Sequence, residues 1–131
     1  MDGTRYDQGM RVRREVLGDA HVERAAARTT AFDAPFQQFI TETAWGTLWA
    51  GDRLDRRTRS LVTIAILAAL GRHDELALHL HASANTGATP EEIREALLHV
   101  AVYAGVPAAN SAIASAKGIL DPDASATGPS D

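Results

Sequence analysis

Glu75 and His79 stand four residues apart in Glu75-Leu-Ala-Leu-His79. Helical geometry places positions i and i+4 on one face. A carboxylate beside an imidazole can hold or move a proton near neutral pH. The same spacing also serves as an ordinary exposed pair, worth about 0.2–0.5 kcal/mol. Glu75 falls near an expected helix N-terminus, where the macrodipole favours its ionised form. It therefore suits the work of orienting and charging His79 better than that of an acid. His81 lies about 200° around the helix from His79, so the two do not converge on one metal ion, and no metal is expected. His99 and Tyr103 form a second i,i+4 pair, read more simply as a tyrosine hydroxyl satisfied by a neighbour. His21 and His73 are given no role.

Arg56, Arg57 and Arg59 open the helix upstream. Cations at a helix N-terminus oppose its macrodipole. That cost is offset either by salt bridges to nearby acids or by an anionic substrate. Asn110, just inside the last helix, is the polar residue there with the best claim to a site. Gly105 and Pro107 before it are explained by turn geometry.

The chain of 131 residues has no cysteine, which removes disulfides, thiolate metal sites and thiol redox chemistry. A net charge of −4 argues against a nucleic-acid partner, which selects a basic face. The longest apolar run, Leu61–Leu70, is half a membrane span, so no membrane partner is expected. The polar start lacks the apolar core of a secretory signal, which predicts a cytoplasmic protein.

These side chains need helices to position them. Met10 to Leu17 reads as a short helix ended by Gly18. Phe32, Phe36, Phe39, Ile40, Trp45, Leu48 and Trp49 recur at helical steps, which predicts one amphipathic helix from Asp33 to Ala50. Asp55 caps a third helix running to Leu70. Its stretch from Leu61 has no polar face, which predicts burial on all sides, partly against another subunit. A fourth helix spans about Asp74 to Thr86. Thr89-Pro90-Glu91-Glu92 is a capping box with proline at N1, opening a fifth. A sixth covers Ala108 to Leu120. No stretch alternates with period two. The expectation is an all-α domain of about six helices over residues 1–120, with a disordered tail over 121–131.

Several segments together resemble the carboxymuconolactone decarboxylase family, within the alkylhydroperoxidase-D-like superfamily. They include Arg13-Arg14-Glu15-Val16-Leu17-Gly18, Ala44-Trp45-Gly46, Glu75-Leu76-Ala77-Leu78-His79 and Gly87-Ala88-Thr89-Pro90-Glu91-Glu92. The most specific is Ala101-Val102-Tyr103-Ala104-Gly105-Val106-Pro107-Ala108-Ala109-Asn110. The likeness spans about residues 6 to 120. The superfamily's peroxidases carry a Cys-x-x-Cys pair upstream of the histidine. Arg72 and Glu75 stand there in this chain, so that chemistry is set aside.

The resemblance implies an alkylhydroperoxidase-D-like bundle that forms a homo-oligomer, trimer or hexamer. It also implies a small-molecule lactone substrate and decarboxylation without a cofactor, in protocatechuate breakdown by the β-ketoadipate route. On this reading His79 donates the proton and Glu75 orients it. Arg59, then Arg57, anchors a substrate carboxylate, and Tyr103 or Asn110 hydrogen-bonds the lactone oxygen. The other readings are a non-catalytic oligomeric helical scaffold and a decarboxylase or isomerase of a related lactone.

Overall fold

The computed structural model describes residues 3–123. Among them are seven α-helices, one π-helical segment and no strand, so the architecture is all-α as expected. The elements are α1 (Arg5–Leu17), α2 (Asp19–Arg28), α3 (Ala34–Ile40), the π segment (Thr41–Leu48), α4 (Arg56–Leu70), α5 (His73–Thr86), α6 (Pro90–Tyr103) and α7 (Val106–Leu120). Of the tail expected over 121–131, residues 124–131 lie outside the described residues. The chain divides into two compact units, one ending at Arg56 and one beginning at Arg57.

In the N-terminal unit, α1 starts five residues earlier than its apolar pattern predicts. Thr4 caps it: its hydroxyl accepts from the Asp7 N–H at 3.1 Å, and the Asp7 carboxylate accepts from the Thr4 N–H at 3.3 Å. This reciprocal pair satisfies two donors that a helix end otherwise leaves orphaned. Helix α2 has no counterpart in the sequence expectation. Val22 is its one buried residue, so hydrophobic periodicity could not mark it. Ion pairs from Arg14 to Asp19 at 3.1 Å and to Glu23 at 2.6 Å tie it to α1.

The single helix expected over Asp33–Ala50 is instead α3 followed by the π segment. Three threonines turn their hydroxyls onto the backbone there. Thr41 donates to the Gln37 carbonyl at 2.7 Å, Thr43 to Phe39 at 2.8 Å and Thr47 to Glu42, five residues back, at 3.0 Å. Such back-bonding competes with the regular α ladder. The wider turn still brings Trp45 beside Trp49, with ring centroids 5.2 Å apart and planes tilted by 32°, and both are buried. Against this segment α1 approaches backbone to backbone. A Cβ added to Gly9 would overlap the Thr41 carbonyl and the Gly46 amide, and one added to Gly46 would overlap the Arg5 carbonyl.

The C-terminal unit is built on a continuous apolar cluster. Ile64 and Ala68 from α4, Leu76 and Leu80 from α5, Ile93, Leu97 and Val100 from α6, and Ala109, Ala112 and Ala116 from α7 form it. Each large side chain so buried contributes about 1.5–3 kcal/mol. The small residues on α7 let that helix approach α5 and α6 closely. The capping box at Thr89 forms as expected. Helix α7 starts at Val106, two residues before its predicted position, with Pro107 in the first turn, where a fixed φ and a missing N–H cost nothing. Within the chain α4 is not buried all round: Val62, Ile66 and Leu70 are 48%, 52% and 65% exposed.

Candidate functional site

Helix α5 carries Glu75 and His79, the pair that the sequence marks for acid–base work. Arg72 precedes it and Gly87 closes it in a left-handed conformation at φ 86°, its N–H bonded to the Ser83 carbonyl. His79 is 8% exposed and shares its face with Leu76, Leu80 and Ser83, all buried. Ser83 turns its hydroxyl onto the Leu80 carbonyl at 2.6 Å. Glu75 lies one turn nearer the N-terminus and is exposed. The helix thus presents a solvated carboxylate in its first turn and an imidazole at the edge of the core, on one stripe. That arrangement fits an acid–base residue shielded from bulk water with a charged neighbour on its solvent side.

The arginines of α4 part company. Arg57 forms an ion pair with Glu92, the N3 residue of the α6 capping box. The Glu92 carboxyl is held below the usual carboxylate range, first by the Thr89 backbone N–H and further by Arg57. Arg56 pairs within the N-terminal unit with Glu15 at 2.8 Å. Arg59 is half-buried, and its Nε is buried without a hydrogen-bond partner. So is the hydroxyl of the next residue, Ser60, which is fully buried. Buried polar atoms in folded proteins nearly always have partners. Arg59 Nε and Ser60 Oγ are therefore two neighbouring buried polar atoms without a hydrogen-bond partner among the described residues. Ser60 was not singled out from the sequence, because a serine inside an apolar helix ordinarily bonds its own backbone and carries no distinctive spacing.

Tyr103 ends α6 and is 84% exposed. The expectation of a buried, satisfied hydroxyl is not met. The ring stacks on His99 with centroids 6.3 Å apart and planes 12° from parallel. Asn110 is exposed on α7. The structure places Glu75 and His79 on one stripe, takes Arg57 into an internal ion pair, and leaves Arg59, Tyr103 and Asn110 on three further helices.

Comparison with known proteins gives this arrangement a setting. Residues 34–118 match the Carboxymuconolactone decarboxylase family. The chain belongs to the carboxymuconolactone decarboxylase family. A 4-carboxymuconolactone decarboxylase of Acinetobacter baylyi is 52% identical over 112 residues, covering 86% of this chain and 84% of that protein. A nitrosuccinic acid decarboxylase of Metarhizium robertsii is 47% identical over 102 residues, covering 78% and 71%. A 4-carboxymuconolactone decarboxylase of Pseudomonas putida is 55% identical over 42 residues, 32% of this chain and 88% of that protein. The carboxymuconolactone decarboxylase match takes in α3 through most of α7, and with them Glu75, His79, Arg59, Tyr103 and Asn110. It leaves α1 and α2 outside.

Proposed function

We propose that this protein decarboxylates 4-carboxymuconolactone to the enol-lactone of β-ketoadipate, as a cytoplasmic enzyme of protocatechuate degradation. The observation that carries this reading is the 52% identity to the Acinetobacter baylyi decarboxylase over 86% of the chain.

The substrate is an unsaturated five-membered lactone whose reacting carbon bears a carboxylate and an acetate arm. When the bond to the carboxylate breaks, CO₂ leaves and the electron pair stays on the ring. The ring double bond relays it to the lactone carbonyl, so the substrate is its own electron sink. A proton then returns to the carbon beside that carbonyl. The protein must supply the proton, stabilise charge growing on the lactone oxygen and hold the arm. His79 donates the proton. Glu75 is a positioning residue that orients the imidazole. Arg59 anchors a carboxylate, with a planar fork suited to bidentate contact, and Ser60 lies next to it. Arg57, engaged by Glu92, is the secondary anchor. Tyr103 or Asn110 hydrogen-bonds the lactone oxygen.

A homo-oligomer, trimer or hexamer, completes the reading. Val62, Ile66 and Leu70 recur at four-residue steps along α4, and Leu98 and Val102 do so on α6, all exposed in the single chain. Apolar stripes of this kind mark protein contacts.

The Metarhizium robertsii relative favours a second substrate. A nitrosuccinate also carries an acetate arm on the carbon bearing its nitro group. Loss of the carboxylate from that carbon would send the electron pair into the nitro group, and a returning proton would complete the same sequence. Both substrates are tested by following CO₂ release from purified protein against the spontaneous rate. Acceleration with 4-carboxymuconolactone is expected. Acceleration confined to nitrosuccinate moves the reading to the second substrate, and neither, from a folded oligomer, refutes both.

A further inference from the structure

The N-terminal unit buries a charge that the proposed reaction does not use. Arg13, on α1, is 7% exposed. Its guanidinium donates to Gln37 Oε1 at 3.2 Å and to Thr41 Oγ1 at 3.3 Å, both neutral, and its Nε is buried without a partner. Among the described residues no carboxylate pairs with it. The acids on α1 and α2 are engaged elsewhere: Asp7 with the Thr4 N–H, Asp19 and Glu23 with Arg14, Glu15 with Arg56. Asp33 accepts from the Thr30 N–H at 2.7 Å. The local balance is cationic. His21 is pushed below the usual histidine range, first by burial and then by Arg13, Arg24 and Arg28.

A guanidinium does not escape burial by losing its proton, and a buried charge is normally paired. Arg13 lines a cavity of about 500 Å³. Gln37, Gln38, Thr41 and Tyr6 are among its further polar lining groups, and Met10, Val22 and several alanines make its apolar wall. Thr41 is also the first residue of the π segment, and such helical irregularities recur at functional sites. Helices α1 and α2 precede the stretch that matches the family.

We propose that this cavity binds a small organic monocarboxylate, its carboxylate on Arg13 and its apolar body against Met10 and Val22. One formal charge surrounded by neutral amide and hydroxyl groups matches one negative charge. The apolar wall selects against a hydrated inorganic dianion. Arginine's fork meets a carboxylate through two parallel bonds. An occupant would touch α1, α2, α3 and the π segment together and stabilise the N-terminal unit by mass action.

The test is a titration of the full-length protein with benzoate, followed by TROSY amide spectra, with benzamide as the uncharged isostere and inorganic phosphate as the dianion. Benzoate is expected to give saturable shifts at Gln37, Gln38 and Thr41, while benzamide and phosphate do not. Charge-assisted hydrogen bonds to a ligand imply a loss of about tenfold or more in affinity for Arg13→Gln, with Arg13→Lys losing less. His79→Ala is expected to leave these shifts in place, which separates this site from the catalytic one. The wild-type titration decides the matter even if the Arg13 variants fold poorly. No saturable shift at Gln37 or Thr41, shifts confined to residues around His79, or equal response to benzamide would each overturn the proposal.

Discussion

Both units bury a basic side chain, in opposite ways. In the C-terminal unit His79 lies on a helix face whose other members are core residues, with an exposed glutamate one turn away. In the N-terminal unit Arg13 is held by neutral groups beside a cavity. An imidazole exists readily in neutral and charged forms, whereas a guanidinium is charged at any working pH. The first setting suits a group that gives and takes a proton, and the second suits a fixed charge that meets an anion. The two units also cohere differently. The C-terminal unit fills its centre with leucine, isoleucine and alanine. The N-terminal unit brings two backbones together at Gly9 and Gly46 and leaves open volume beside them.

The sharpest break of this comparison is His79→Ala. Loss of a positioned proton donor is expected to lower kcat by about 10²–10⁴-fold, measured as initial rates of CO₂ release. Thermal unfolding followed alongside should change far less. Near-normal turnover would remove His79 from the mechanism and leave the two buried bases without a functional contrast.

Packing comes next. Leu80→Ala is expected to cost about 2–5 kcal/mol in denaturant unfolding, because a fully enclosed site collapses only partly around the lost volume. Gly9→Ala is expected to cost about 1–3 kcal/mol, by forcing α1 away from the π segment. A neutral Gly9→Ala would show that the backbone approach does not hold the N-terminal unit together.

The smallest effect concerns acid. The Glu92 carboxyl is depressed by the Thr89 N–H and then by Arg57. A depressed carboxylate contributes stability that is present above its unfolded pKa, about 4.3, and lost as pH falls through the lower folded value. Glu92→Gln should therefore flatten the acid limb of stability against pH. The pair is solvent-exposed enough that added salt should mute the difference. An unchanged limb would mean that neither the Thr89 cap nor the Arg57 pair gives Glu92 a measurable pH-dependent contribution to stability.

The residues show why some elements were legible and others were not. Helix α6 begins where Thr89, Pro90 and Glu92 announce it, because capping is a contact across three residues. Glu75 and His79 share a stripe because one helical turn decides it. Helix α2 went unread because it buries little more than Val22 and is held by ion pairs that carry no period. The π segment went unread because its apolar spacing fits an α-helix, and the threonine hydroxyls that bond its backbone leave no mark in that spacing.

The chain by itself determined the all-α class, most helix starts and stops, the absence of thiol chemistry and the placing of Glu75 and His79 on one stripe. All of these rest on composition or on neighbours within a turn. Only the tertiary structure decided that Arg57 meets Glu92, 35 residues away, that Arg13 meets Thr41, 28 residues away, and that Arg59 and Ser60 keep polar atoms unused. Such outcomes depend on which distant side chains packing brings together and which it withholds from water, and no local spacing encodes that.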